Sequence, residues 1–448
     1  MDFIAGGDKV LVRAGGTYVV MDRPQGRVSA PDKGADFGGL KKRIDYREEW
    51  RQVYDELWRR MRDFFYDPDM HGVDWKAVHD KYAVLVPHVG HRTDLTYIVG
   101  EMIGELNVGH AYSNDASLHM RPHAERIKVG MLGAKFSKDR SGYFRVDSIT
   151  RGANWNGATR SPLTLPEVDV RAGDYIVAVD GRPLKDVANI YETLVGKAGR
   201  LVEMEVNSSP SVEGARKVLV TPLESEAQLN YYAWVERNTR LVNEATGGEV
   251  GYIHIPDMGV DGLNEFVKHY YPQLGKRALI IDDRGNGGGN VSPMIIERLQ
   301  RTPTYYTMHT GQTEGSVNPV GTFVGPLVLL VNEYSASDGD LFPYRFKYNR
   351  LGTVIGRRTW GGVVGYSGMV PTVDGGSIVT PSYAPYAADG SEFIIENRGV
   401  EPDIEIFNDP YEDFMGEDAQ LLKAIEVARE RLAAEGREKP AIPDFPVR

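Results

Sequence analysis

From Tyr46 to about Leu106 apolar residues recur at three- and four-residue spacing. Trp50, Val53, Tyr54, Leu57, Trp58, Met61 and Phe65 fall on one broad face, which predicts a helix with that face turned into a core. The following "DPDMHGVDWKAVHDKY" reads as a turn with Asp74 placed to cap a second helix, and "RTDLTYIVGEMIGEL" supplies a third. Residues 125–222 change character. "KVGMLGAKFS", "YFRVDSI" and "DYIVAVDG" read as strands between Gly-rich turns, ahead of a short helix pattern, "NIYETLVGKAG", and a final strand pair. From Glu249 onward short, mostly apolar strands are predicted at 250–255, 278–283, 326–332 and 353–356, with helix patterns between the second and third and between the third and fourth. Runs apolar on both faces imply a parallel sheet covered by helices on both sides. Sites in such sheets form at the carboxyl ends of strands, where loops lead into helix N-termini.

Two unusual loops lie at those ends. "DDRGNGGGN" (282–290) joins a predicted strand to a helix pattern. Its three successive glycines allow close backbone approach and positive φ, so their N–H groups can face an anion or a developing oxyanion. A nucleotide loop fits poorly, because no G-K-[ST] ending follows and G-x-G-x-x-G is not met from Gly285 or Gly287; a plain tight turn is the other alternative. In "LLVNEYSASDGDLFPYRFK" (329–347), Ser337 stands where strand gives way to helix, with the Asp338 N–H in the first helical turn. Unpaired N–H groups there suit a tetrahedral oxyanion. Ser337 with Asp340 three residues on also has the spacing of a capping box, and a helix cap is the ordinary reading of it.

Composition narrows the field. The 448-residue chain has room for two or three cores. Its net charge of −11 argues against a nucleic-acid partner. It contains no run of about eighteen apolar residues, so a membrane span is not expected. The absence of cysteine removes disulfides, thiolate nucleophiles and Cys-based zinc sites, and fits a reducing, cytoplasmic setting. No cofactor is expected. "DKVLVRAGGTYVVMD" (8–22) reads as two strands around Gly15-Gly16, a hairpin marginal alone; it suggests a preceding β domain, with which a targeting segment could also be missing.

Residues 125–222 resemble a PDZ domain, with a Gly-containing loop before a strand in "VGMLGAKF" and "AGDYIVAVDGRPL" ahead of the helix pattern. Such domains add an extended peptide to a sheet edge and often hold its terminal carboxylate; a β-rich insertion that only packs is the alternative. Across the whole chain, "ELNVGHAY" (105–112), "DDRGNGGG", "NEYSASDGD" and "IENRGVEPDI" (395–404), in that order and with the PDZ-like unit after the first, resemble the C-terminal half of the tricorn protease family. The resemblance implies a multi-domain α/β protein: remnant strands of a β-propeller (1–38), a helical subdomain (39–124), a PDZ-like domain (125–222), a crotonase/ClpP-like α/β core (223–408) and a C-terminal helix and tail (409–448). It implies a serine peptidase with Ser337 as nucleophile, His110 as base and Glu396 as the acid that orients it. The Asp338 N–H, with that of Gly288 or Gly289, would form the oxyanion hole. Peptide substrates, peptide C-termini at the PDZ-like unit and a homo-oligomer, hexameric by resemblance, are implied partners.

Two departures matter. The family commonly has a serine just before the base histidine, bridging it to the glutamate, where this chain has Gly109. The related C-terminal processing peptidases use a serine–lysine dyad, but "TWGGVVG" (359–365) has Gly362 at the lysine position. No residue in 303–325 matches the family's acidic specificity determinant. Two rivals remain: a peptide-binding assembly module without catalysis, for which Gly109 speaks, and a crotonase-like acyl-CoA enzyme, against which the PDZ-like unit and the S-D-G motif speak.

Overall fold

The computed structural model describes residues 2–3, 6–14, 17–26, 34–35, 39, 41, 43–115, 126–152, 157–435 and 440–447. Near the start β1 (Asp2–Phe3), β2 (Lys9–Ala14) and β3 (Thr17–Asp22) form an antiparallel sheet. β2 and β3 are the expected hairpin; Gly15 and Gly16 at its turn lie outside the described residues.

The helical unit follows with α1 (Tyr46–Phe64), α2 (Trp75–Ala83) and α3 (Arg92–Gly104). The Asp45 carboxylate accepts the Arg47 and Glu48 N–H groups at the start of α1, and Asp74 accepts that of Ala77 at the start of α2, as its spacing predicts. Trp50, Val53, Tyr54, Leu57, Met61 and Phe65 are buried against Leu95, Val99 and Met102 of α3. Beyond α3 the chain passes through Asn107 and His110, both at positive φ, into β4 (Tyr112–Asn114).

The β-rich unit contains β5 (Ala134–Lys138), β6 (Phe144–Ile149), β7 (Tyr175–Val179), β8 (Arg182–Pro183), β9 (Val202–Asn207) and β10 (Arg216–Val220). Its sheet runs β10-β9-β7-β6-β5, with β8 on β7, leaving β5 on an edge. Where a short helix is predicted, the chain forms a 3₁₀ turn, Ile190–Leu194, ended by the extended Val195 and by Gly196 at positive φ.

The core is built from α4 (Ala227–Ala245), β11 (Val250–His254), α5 (Val260–Tyr270), β12 (Ala278–Asp282), α6 (Ser292–Leu299), a small hairpin of β13 (Tyr305–Thr307) and β14 (Ser316–Asn318), β15 (Leu327–Val331), α7 (Asp338–Tyr348) and β16 (Gly352–Gly356). Then come β17 (Gly365–Pro371), β18 (Ser377–Tyr383), β19 (Ile404–Glu405), α8 (Pro410–Met415) and α9 (Ala419–Glu435). β11, β12, β15, β16 and β19 pair in that order, all parallel. Residues of α5, α6 and α7 bury one face of the sheet, those of α4 and α9 the other.

One pair of strands leaves this layer. β18 pairs with β4, Ile378 joins the core of the helical unit, and the buried Arg92 Nε donates to Asp374 at 2.5 Å. The helical unit is therefore built from two stretches of chain, whereas a single contiguous core over 223–408 is the reading from sequence. Breaking one partner of a buried pair costs about 3–5 kcal/mol, so the hairpin is firmly fastened. Its attachment brings the loop before β17 against the loop before β4, and these carry Gly362 and His110.

Candidate active site

Ser337 ends the loop that leaves β15 and caps α7. Its backbone sits at φ 60° and ψ −119°, a region glycine favours. Neighbouring contacts fix it there. The Ser337 N–H donates to Asp340 Oδ2 at 2.8 Å, Ala336 N–H to the Asn286 carbonyl at 2.8 Å, and Ser335 Oγ to the Asp283 carbonyl at 2.9 Å. The relation with Asp340 thus runs through the Ser337 backbone N–H, and the Ser337 Oγ lies 3.1 Å from His110 Nε2.

The triple-glycine loop leaves β12 and passes directly beneath this corner. A Cβ on Gly288 would stand 2.5 Å from Ser337 Cβ and 2.9 Å from the Asp338 nitrogen, so only glycine fits. The Gly288 N–H donates to Asn286 Oδ1 at 2.9 Å. The Asp338 and Gly289 N–H groups have no hydrogen-bond partner among the described residues. The Asp338 carboxylate, nearly buried, accepts the Ser292 N–H at 2.8 Å and its hydroxyl at 2.6 Å, and pairs with Arg345 at 3.0 Å. It thereby ties the start of α7 to the start of α6, on which the glycine loop ends.

His110 is half enclosed by aromatic rings. Those of Tyr112, Trp360 and Tyr366 lie with centroids 6.1, 6.3 and 5.9 Å from the imidazole. Burial lowers the His110 pKa, against the opposing pull of the Glu396 and Asp340 charges. Its Nδ1 is buried and has no partner among the described residues. Glu396 is close by but bonded elsewhere: Oε1 accepts the Gly109 N–H at 2.6 Å, and Oε2 accepts those of Val363 at 2.6 Å and Val364 at 2.8 Å.

Asp340 completes the pattern. It accepts the Gly361 N–H at 2.7 Å and the Gly362 N–H at 3.2 Å besides that of Ser337. Four successive N–H groups, 361–364, are thus divided between two carboxylates, one of which also holds the backbone of Ser337 and the other that of Gly109. This backbone yoke sets the separation of the serine and the histidine. The sequence marks Asp340 only as a capping partner; its second set of contacts depends on a loop some twenty residues away and leaves no local signal. Gly362 lies under the Trp360 indole, where a Cβ would stand 2.1 Å from the nearest ring carbon, so a side chain at the dyad position would have to displace that ring.

A serine on a strand-to-helix corner, a histidine within hydrogen-bond reach and free N–H groups beside both define the constellation of a serine hydrolase. Residues 249–406 match peptidase family S41, residues 46–104 the tricorn protease C1 domain, and residues 130–225 the tricorn protease PDZ domain. The chain is 36% identical over 428 residues to tricorn protease homolog 1 of Streptomyces coelicolor, covering 94% of this chain and 39% of that protein. It is 36% identical over 382 residues to the tricorn protease of Thermoplasma volcanium, covering 85% and 36%. The crystal structure of the tricorn protease superposes with a TM-score of 0.84 at 32% identity, over 96% of this chain and 41% of that one. The chain belongs to the tricorn protease family. It spans about two fifths of the length of these relatives.

Proposed function

We propose that this chain is the catalytic part of a tricorn-type serine peptidase, hydrolysing small to medium peptides through an acyl-enzyme. The observation that carries the reading is the 3.1 Å approach of Ser337 Oγ to His110 Nε2 beside the unpartnered Asp338 N–H. His110 takes the hydroxyl proton as Ser337 Oγ attacks the scissile carbonyl, then delivers it to the leaving amine. The Asp338 N–H and one from Gly288 or Gly289 receive the oxyanion. Gly289 is favoured as the second donor, since Gly288 is engaged with Asn286. Glu396 acts on the imidazolium by charge and by holding the backbone at Gly109.

The parallel order of the sheet supports its assignment to the crotonase/ClpP-like class, and the strands in 1–38 are read as the end of a β-propeller. A cytoplasmic homo-oligomer, hexameric by the family resemblance, belongs to the same proposal. Peptide C-termini are the ligand class proposed for the PDZ-like unit. The test is labelling by a fluorophosphonate probe together with turnover of fluorogenic peptides, both expected in the wild type and absent in Ser337→Ala. Absence of labelling in the wild type would favour a non-catalytic binding module, and turnover of acyl-CoA thioesters without peptide hydrolysis would favour the crotonase-like alternative.

A further inference from the structure

A domain that captures a peptide's carboxyl terminus needs two vacant features: backbone N–H groups in a loop to receive the carboxylate, and a free sheet edge beside it to pair with the peptide. In the PDZ-like unit the loop Gly130–Gly133 leads into the edge strand β5, and the 3₁₀ turn Ile190–Leu194 lies beside it, the Gly130 N–H donating to the Leu194 carbonyl at 2.9 Å. The loop is taken, while the outer edge of β5 carries no strand among the described residues. The Gly133 N–H, in a backbone at φ 68°, donates to Glu226 Oε1 at 2.6 Å. Met131 and Leu223 exchange backbone hydrogen bonds of 2.9 and 2.8 Å. Further along the groove the Phe136 and Tyr191 rings meet edge-on at 6.4 Å, and Lys138 Nζ donates to the Val187 carbonyl at 2.6 Å.

Glu226 is unusual in its own element. It is the N-cap residue of α4, a position that favours short side chains able to bond the first-turn N–H groups, yet its side chain makes no capping bond. The carboxylate turns away from its own helix onto the PDZ-like loop. Leu229, one turn into α4, covers the same loop: its Cδ2 lies 2.8 Å from where a Cβ on Gly133 would stand. The Glu226 charge also acts on Tyr191 of the 3₁₀ turn, whose pKa is raised mainly by burial and further by that charge. Glu226 therefore sits on the loop N–H that a terminal carboxylate would use.

We propose that the PDZ-like unit is liganded by its own chain, with the Glu226 carboxylate filling the place of a peptide's terminal carboxylate and the 222–226 segment closing the loop. A free peptide must displace Glu226 to enter, and because Glu226 opens α4 of the catalytic core, entry would loosen the joint between the two units. The inference rests on peptide termini being the ligand class of this domain.

The experiment is fluorescence anisotropy on the Ser337→Ala background, so that no probe is cleaved. The probe is a fluorescein-labelled alanine hexapeptide ending in valine, with a free or an amidated carboxyl terminus. An intramolecular ligand is presented at an effective concentration on the order of millimolar. Glu226→Ala is therefore expected to bind the free-carboxylate peptide at least about tenfold tighter than the protein with Glu226 intact, and to discriminate against the amide. Glu226→Gln, which keeps an acceptor but loses the charge, should fall between them and serves if the alanine variant does not fold. Equal binding with and without Glu226 would overturn self-occupation while leaving the domain a receptor for peptide termini. No binding to either folded variant would overturn the peptide-terminus reading itself, and the inference with it.

Discussion

Glu396 and His110 share no hydrogen bond: the carboxylate accepts the N–H groups of Gly109, Val363 and Val364, while His110 Nδ1 is buried without a partner among the described residues. Glu396 therefore acts on the imidazole through space. Its negative charge favours the imidazolium and opposes the burial that lowers the His110 pKa. Because burial dominates, the acidic limb of kcat/KM in the wild type should lie below the ordinary histidine value of about 6.5. Glu396→Gln removes the opposing charge, so the pKa falls further and the acidic limb moves to lower pH, with a lower kcat from the loosened 363–364 loop. A pH–rate profile on a fluorogenic peptide reads both. An unmoved limb would mean that the charge does not reach the base.

The backbone of Ser337 stores strain at the proposed nucleophile. A non-glycine residue held at φ 60° and ψ −119° costs about 1–3 kcal/mol. Ser337→Ala and Ser337→Gly should both abolish hydrolysis, but they should differ in stability. Alanine keeps the strain and loses the hydroxyl. Glycine relieves the strain and offsets its own entropic cost of about 0.5–1 kcal/mol, so its Tm should exceed that of the alanine variant. Thermal melts of the three proteins decide it; equal Tm values for the two variants would show an unstrained corner.

Beneath the glycine loop, Asp283 is fully buried with Oδ1 accepting from Asn286 Nδ2 at 2.9 Å and Oδ2 unpartnered among the described residues. Burial, with the nearby Asp282, Asp340 and Asp338 charges adding to it, holds its carboxyl protonated well above the usual carboxylate range. A carboxyl whose pKa is raised on folding contributes stability below its unfolded pKa and loses it as pH rises through the folded value. Asp283→Asn keeps the shape and the Asn286 bond without a titrating proton. The wild type should therefore lose Tm relative to the variant as pH rises from the ordinary carboxylate value of about 4 through the raised folded value, measured by scanning fluorimetry from acidic to alkaline pH. A constant difference would mean that Asp283 does not titrate there.

Four of the five parallel strands were legible to within about one residue at each end, because β11, β12 and β15 are buried on both faces and read as unbroken apolar runs; the two-residue β19 was too short to leave such a run. The glycine loop and the Ser337 corner were visible as departures from those runs. The attachment of β17 and β18 to the helical unit was not, since its chief fastening joins Arg92 to Asp374, 282 positions away. Nor was the yoke at 361–364, in which the donors are backbone N–H groups that any sequence carries. Glu226 reads from sequence as one acidic residue among many; only the fold brings it to Gly133. Contacts between distant segments through backbone atoms leave the weakest trace in residue types.

Gly109 is the position at which this chain departs from the family pattern, and its surroundings define what a serine would do there. Its φ lies outside the left-handed region, so a serine can adopt the backbone without strain. A Cβ would stand 3.1 Å from Glu396 Oε1 and 3.2 Å from the Gly362 Cα, close enough that the 361–364 loop must yield by a few tenths of an ångström. Any side chain at 109 incurs that crowding, whereas only serine adds a hydroxyl between Glu396 and the unpartnered His110 Nδ1. The comparison that isolates the hydroxyl is therefore Gly109→Ser against Gly109→Ala. A gained hydrogen bond of about 0.5–1.5 kcal/mol corresponds to roughly a twofold to tenfold difference in rate, so kcat of the serine variant should exceed that of the alanine variant by this factor. If crowding is small, serine should also exceed the wild type. Equal kcat values for the two variants, measured on the same fluorogenic peptide, would mean that no relay runs through position 109 and that Glu396 acts by charge and backbone support alone.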